Sequence, residues 1–250
     1  MVLTAAVLAV LLWAVAAASL NWRYALTAVL ALLTWAGVAW SLSDGLSGVE
    51  WLMVPLPSAL FTTGVELFYI LLPQSLVVRL LIMITFGIGQ YALMLSGNIF
   101  SVAAIRTIAL VRAAAAVGFV MNLLTGYFLY NTILSFRLSF WSVGLWVTLV
   151  SFLLLLPGLW SVQLSPRLSR SIVKFAVVLA GLLGFCAVAI SFWPISLSVS
   201  SLFLCTMLYV YLGISQHHFS QRLFKRTVGE YVTVGAAVLV TMLLTAGWGV

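Results

Sequence analysis

Long apolar runs separated by short polar breaks dominate the pattern of this chain. Nine runs approach the length of about 20 residues that an α-helix needs to cross a bilayer. They cover residues 2–20, 24–42, 51–72, 80–95, 113–134, 140–160, 172–192, 197–214 and 231–248. Because the bilayer core offers no water to unpaired backbone groups, these runs predict helices. The expected fold is therefore an all-α polytopic transmembrane helix bundle of about nine spans, a single membrane domain over residues 1–250 with no soluble domain.

Two features leave the number of spans open. Pro55 and Pro57 stand near the start of the run 51–72, so a kinked, re-entrant segment there would leave eight crossing helices. Residues 99–112 and 215–228 are more polar than the runs beside them, and we expect both to be interfacial. Around residue 222 the apolar and basic side chains fall on opposite sides of a helix, which predicts a short amphipathic helix on the membrane surface.

Composition makes the membrane assignment firm. Only 6% of the 250 residues are charged and 65% are apolar, whereas a soluble domain has roughly a quarter of its residues charged. The eleven Lys and Arg residues are scattered over the breaks rather than clustered. Such scatter serves orientation in the membrane and does not indicate a nucleic-acid surface.

The positions of the basic residues predict the orientation of the chain. With nine spans, one set of breaks carries eight of them, and the opposite set carries Arg23, Arg79 and Arg137. The N-terminus is then cytoplasmic and the C-terminus lies outside. In the re-entrant alternative, one set of breaks carries nine basic residues and the opposite set carries two, and both termini lie outside. We expect a plasma membrane, of a bacterium.

Glu66 is the first candidate for chemistry, because it lies deep in the run 51–72. A carboxylate in lipid costs on the order of 3 kcal/mol and so normally faces a bundle interior or a cavity. It is either a proton, cation or substrate site, or a structural group bonded to Gln90, Tyr91 or helix backbone, with Arg79 or Arg137 reaching inward. Together with Gln90 and Asn122 it forms the set of intramembrane polar candidates.

The run 113–134 carries a stripe of small residues at four-residue spacing. Small side chains let two helices approach closely, and an Asn at mid-span can bond across the contact. The stripe predicts an internal helix-packing seam rather than a ligand groove. It consists of Ala114, Gly118 and Gly126, with Asn122 between them.

Two basic breaks on the same predicted face are candidates for docking of anionic lipid or a protein partner. They contain Arg167, Arg170, Lys174, Arg222, Lys225 and Arg226. The positive-inside rule explains them equally well. Glu230 follows Arg226 by four residues and is expected to pair with it on a helix. His217 and His218 are adjacent, so they point about 100° apart and do not chelate one metal ion.

The sequence offers no nucleophile with a suitable base, no paired carboxylates and no metal-spaced cluster of His or Asp residues. We therefore expect no catalytic residue, no metal and no cofactor, and a protein that is not an enzyme. The first hypothesis is an accessory, scaffold or sensory component acting through lipids, a protein partner or a homo-oligomer. The alternatives are a small transporter or channel built on Glu66 and, less favoured, an intramembrane enzyme acting on a lipid.

The segment from Asn98 to Ile108, together with Gln216–Phe219 and Arg222–Val228, resembles an uncharacterised family of polytopic bacterial membrane proteins. The resemblance covers roughly residues 51–245. It implies a bacterial plasma membrane and no particular activity or site residue.

Overall fold

Helices account for nearly the whole of the computed structural model, which describes residues 1–73, 75–103 and 110–247. They are α1 (Val2–Ala16), α2 (Leu20–Ser41), α3 (Glu50–Met53), α4 (Pro55–Ile70), α5 (Leu76–Ala103), α6 (Val111–Ser135), α7 (Phe140–Gln163), α8 (Arg170–Ile190), α9 (Leu197–Phe219) and α10 (Lys225–Thr245). These ranges contain no strand. Eight helical segments are long and apolar enough to cross a membrane, and α1 is a shorter apolar helix. The expected all-α polytopic membrane bundle is confirmed.

The segment with two prolines forms one helical run from Glu50 to Ile70. Pro55 and Pro57 stand in the first turn of α4, where a missing N–H costs little. Val54, between α3 and α4, keeps helical dihedral angles. The chain therefore continues as one helix through this segment, and the number of helices that cross the membrane stays a prediction.

The two segments expected at the membrane surface form no helix of their own over their described residues, and their location at the surface stays a prediction. Residues 99–103 continue α5, while Arg106 lies outside the described residues, as does the end of the last expected span at residue 248. The separate amphipathic helix expected around residue 222 is wrong, because α9 ends at Phe219 and α10 begins only at Lys225.

The reason is the way in which α9 ends. Gln221 has a left-handed backbone with φ of 56°. Its N–H donates to the His218 carbonyl at 3.1 Å, and the Arg222 N–H donates to the His217 carbonyl at 3.0 Å. This pair of bonds satisfies the final carbonyl groups of a helix and reverses the chain. The polar residues beyond α9 therefore form a turn.

The chain divides into two compact units. Unit 1 contains Met1–Phe128 and Leu164–Leu168, and unit 2 contains Leu129–Gln163 and Ser169–Val250. The boundary falls within α6.

In unit 1, α1, α2, α4 and α5 form a ring in which each helix contacts the next. Short connections make successive helices antiparallel. Their core is apolar and contains Leu8, Leu12, Leu30, Phe61 and Phe86. The rings of Phe61 and Phe86 stack with centroids 5.6 Å apart. This contact places the two residues at the same height along the axes of α4 and α5.

In unit 2, α7 and α8 form the closest helix pair, with α9 against both and α10 against α9. Gly144 and Gly184 make this approach possible. A Cβ atom built at Gly184 would overlap Thr148 Oγ1 and would lie 2.8 Å from the Gly144 carbonyl oxygen. Only glycine leaves room for the two backbones here.

Candidate functional site in unit 1

The C-terminal end of α1 is closed by two arginines. Its last four carbonyl groups, which a helix leaves without intrahelical partners, belong to Trp13, Ala14, Val15 and Ala16. The middle two accept backbone N–H groups of the following turn, at 3.1 and 3.0 Å. The Arg79 side chain donates to the Trp13 carbonyl at 2.5 Å, and the Arg23 side chain donates to the Ala16 carbonyl. A cation at this end also interacts favourably with the helix dipole.

Beside these two arginines lies a cavity of about 480 Å³. We call it the arginine cavity, and it is lined by Ala16, Ala17, Ala18, Arg23, Tyr69, Ser75, Leu76 and Arg79. The Arg23 guanidinium lies 5.1 Å from the centre of the Tyr69 ring, and that of Arg79 lies 4.2 Å from the Trp13 ring. Cation–π contacts of this kind hold each guanidinium in place.

Arg23 is only 5% exposed, although the sequence places it in a break between two runs. The reason is that α1 ends at Ala16 and α2 already begins at Leu20. Arg23 therefore stands in the first turn of α2, at the same end of unit 1 as the last turn of α1. The sequence does not mark this, because residues 16–18 are alanines that continue the apolar run.

One face of α4 carries polar side chains into the interior of unit 1. We call Ser58, Thr62, Glu66 and Tyr69 the polar face of α4; each is at most 1% exposed. Thr62 Oγ1 lies 3.2 Å from Thr34 Oγ1 of α2 and 3.0 Å from the Ser58 carbonyl oxygen. The helical spacing of 58, 62, 66 and 69 explains why they share a face. The sequence singled out Glu66 on this face, but neither Ser58 nor Arg23 as a site residue.

Glu66 is completely buried, and neither carboxylate oxygen has a hydrogen-bond partner among the described residues. The positive charges of Arg23 and Arg79 act on it. It lies three residues before Tyr69, hence about 4.5 Å further along the helix axis from the arginine cavity. The expected structural hydrogen bond to Gln90 or Tyr91 is not formed. A buried, hydrogen-bond-deficient carboxyl near two guanidinium groups is suited to gain and lose a proton.

Gln90, another of the polar candidates, lies apart from Glu66. Gln90 of α5 is completely buried, and its side-chain amide has no hydrogen-bond partner among the described residues. Because Phe61 stacks on Phe86 and the helices are antiparallel, Gln90 is about 13 Å from Glu66 along the axis. It lies nearer the level of Ser58, whose hydroxyl is also buried. Asn122 is half-buried on α6.

A second buried carboxylate stands where the Glu50–Ile70 run begins. Glu50 is 1% exposed, and its Oε2 accepts the backbone N–H of Ser47 at 2.9 Å. This bond ties the carboxylate to the turn that precedes the run, and a negative charge at the start of a helix also interacts favourably with the helix dipole. From Glu50 to Tyr69 the helical rise amounts to about 29 Å, close to the hydrocarbon thickness of a bilayer.

The small residues of α6 are placed as follows. Ala114 and Gly126 are buried and Gly118 is half-buried. A Cβ atom at Gly118 would lie 3.7 Å from the Phe100 ring of α5, which is ordinary van der Waals contact. Whether this stripe is needed for helix packing stays a prediction.

All six basic docking candidates are exposed. Arg167 belongs to unit 1, and the other five belong to unit 2. Within unit 2, Phe175 at the start of α8 packs on His218 and Phe219 at the end of α9, with ring centres 5.5 and 5.1 Å apart. The basic residues beside these rings, Arg170, Lys174, Arg222, Lys225 and Arg226, therefore share one end of unit 2.

The expected pairing of Arg226 with Glu230 is confirmed, with Nε and Oε1 3.2 Å apart. His217 packs on Tyr231, whereas His218 packs on Phe175, so the two rings point to different helices. Within the described ranges, no group of three or more His, Cys, Asp or Glu side chains is arranged to hold a metal ion.

Comparison with protein-family models, with curated proteins and with solved structures finds no match to this chain.

Proposed function

We propose that this integral membrane protein is a small, non-enzymatic transporter in which Glu66 carries a proton together with an anion bound by Arg23 and Arg79. The observation that supports it most directly is Glu66 itself, a carboxyl in the interior of unit 1 with no hydrogen-bond donor among the described residues. Such groups inside a membrane protein are costly and usually functional.

The two arginines supply the binding site for the anion. A cavity lined by two guanidinium groups favours anions and repels cations. An ionised Glu66 balances part of their charge. When an external anion enters the arginine cavity, two negative charges share the same arginines, so proton uptake by Glu66 accompanies anion binding. Proton and anion then move together.

The polar face of α4 supplies a path along which the proton of Glu66 moves toward the inner side of the membrane. Hydroxyl groups of Thr62 and Ser58 follow at intervals of one helical turn, and Gln90 adds a buried amide near Ser58. With the nine-span orientation, N-terminus in the cytoplasm and C-terminus outside, the arginine cavity opens on the outer side of a bacterial plasma membrane. Glu50 then stands near the inner side.

The test uses the purified chain in liposomes that contain a pH-sensitive dye. Adding sn-glycerol 3-phosphate or lysophosphatidic acid outside should acidify the lumen. Glu66→Gln, which keeps the shape and loses the titratable group, should abolish acidification. Glu230→Gln is the matched control, because Glu230 is exposed and distant in sequence, and it should retain the wild-type rate.

Unfolding temperatures in detergent separate transport from folding. Equal acidification by wild type and Glu66→Gln would overturn the proposal. The same holds if Glu66→Gln and Glu66→Leu only lower thermal stability while no flux depends on Glu66, because the carboxyl would then be structural.

A second candidate function is the accessory role, which is supported by the basic end of unit 2. Five exposed cations beside an aromatic cluster suit anionic lipid at the cytoplasmic face or an acidic protein partner. Charge reversal at Arg222, Lys225 and Arg226 should then release a protein that co-purifies from native membranes. Unchanged co-purification, or a chain that purifies alone or as a homo-oligomer, would contradict this role.

A further inference from the structure

An apolar groove runs between α1 and α5 on the surface of unit 1. Its volume is about 600 Å³. Small residues, among them Ala6, Ala9 and Gly87, leave the space, and a Cβ atom at Gly87 would lie 3.5 Å from the Ala9 Cβ. Ile84 and Ile88 border it and are 57% and 65% exposed. We call this the α1–α5 groove.

The groove and the arginine cavity follow one another along the same helix pair. On α5, Leu76 and Arg79 line the cavity, and the groove begins at Met83 and reaches Tyr91. Arg79 and Met83 are one helical turn, about 6 Å, apart, and the groove continues for about 12 Å. This arrangement fits a molecule with a polar head, which would lie in the cavity, and an extended apolar tail, which would lie in the groove.

The charged residues of the arginine cavity indicate which polar head group it binds. The arginine cavity contains two guanidinium groups and no carboxylate among its lining residues. Guanidinium groups bind phosphate oxygens through paired hydrogen bonds. A soluble anion would use the cavity alone, whereas an amphiphile also buries its chain against the small residues of the groove.

We propose that the seam between α1 and α5 binds an acidic phospholipid, with the phosphate between Arg23 and Arg79 and one acyl chain in the α1–α5 groove. The inference rests on the proposed function for the anion site and names the substrate class of that site. Its test measures binding rather than flux, so the two proposals fail separately.

The test is a titration of the purified chain in mild detergent with phosphatidylglycerol or phosphatidylcholine of identical chains. Native mass spectrometry quantifies the complex with one lipid. Phosphatidylglycerol should bind at lower concentration, by about fivefold for each guanidinium. Arg79→Gln should remove about a fivefold share of this preference, because the cavity then has one guanidinium fewer to attract the anionic lipid and to repel the choline cation.

Because Arg79 also closes α1, a second variant leaves the arginines intact. Ala6→Phe places a ring over the groove and should weaken binding of both lipids. Ala14→Phe is its control, since Ala14 is an exposed residue of α1 that does not line the groove. Arg137→Gln removes an exposed charge from unit 2 that belongs to neither basic break, and it should change nothing.

Several results would overturn the inference. These are wild-type binding by Ala6→Phe, equal affinity for the two lipids, or loss of binding in the Arg137→Gln variant. Displacement of phosphatidylglycerol by an equal concentration of sn-glycerol 3-phosphate would identify a soluble anion instead. Lipid binding without acidification that depends on Glu66 would keep this inference and overturn the transport proposal.

Discussion

Arg79 of α5 contacts Trp13 of α1 twice, through a hydrogen bond of 2.5 Å to its carbonyl oxygen and through a guanidinium 4.2 Å from the centre of its indole ring. One side chain thus caps the end of a 15-residue helix and packs on its last aromatic residue. Together with Arg23, it lets α1 end inside unit 1 without an unpaired carbonyl group.

Replacement of Arg79 should therefore destabilise the fold. Arg79→Leu removes the capping donor and the cation–π contact, and we expect a loss of about 1–2 kcal/mol in the free energy of unfolding. Arg79→Lys keeps the charge and should lose less. Thermal unfolding in detergent measures the effect, with Arg167→Leu in an exposed turn as the control; equal midpoints for the two leucine variants would contradict it.

The close crossing of α7 and α8 predicts that alanine substitutions at two glycines of α8 differ sharply in their effect on stability. Gly184→Ala places a Cβ atom against Thr148 and the Gly144 backbone, so we expect a cost of about 1–3 kcal/mol from overpacking. At Gly181 a Cβ atom would meet nothing within 4 Å. Gly181→Ala should be neutral or gain up to about 1 kcal/mol of helix propensity. Both are read from unfolding midpoints, and equal loss in the two variants would exclude a local clash.

Tyr130 and Ser151 form a buried hydrogen bond between α6 and α7, with their oxygens 2.8 Å apart. Both residues are completely buried in unit 2. A double-mutant cycle with Tyr130→Phe and Ser151→Ala should give a coupling energy of about 0.6–1.7 kcal/mol, as for hydrogen bonds between membrane helices. If the two single effects simply add, the bond contributes nothing to stability.

The ion pair of Arg226 and Glu230 should matter little, because the two side chains are 91% and 65% exposed. Glu230→Gln is expected to change the free energy of unfolding by less than about 0.5 kcal/mol. The unfolding midpoint at low and high salt measures this. A larger, salt-dependent loss would mean that Glu230 has a role in folding and would disqualify it as the control for Glu66.

Part of the candidate site could be predicted from the sequence. A carboxylate inside a run of 22 apolar positions identifies Glu66, and helical spacing adds Thr62 and Tyr69 to its face. The cavity could not be predicted, since it depends on α1 ending at Ala16, four residues before the apolar run ends. Nothing in the alanines there signals a helix terminus. Only the approach of Arg23 and Arg79 supplies the partners that the final carbonyl groups need.

The turn after α9 shows the opposite case, in which a strong local pattern was misleading. Apolar and basic residues around Arg222 alternate as in a surface helix, yet Gln221 takes a left-handed conformation and ends α9. The two hydrogen bonds that close that turn, from the N–H groups of Gln221 and Arg222, join backbone groups, and the Ser220 hydroxyl adds a third to the His217 carbonyl. Side-chain patterns carry little information about them.

The sequence by itself determined that this protein is a bundle of membrane helices, because the bilayer imposes length and apolar character on each segment separately. Only the tertiary structure decided which faces of those helices are buried. Lipid and protein interior are equally apolar, so hydropathy does not distinguish the side that faces a neighbour from the side that faces lipid. The polar face of α4, the arginine cavity and the glycine crossing of α7 and α8 all depend on that choice.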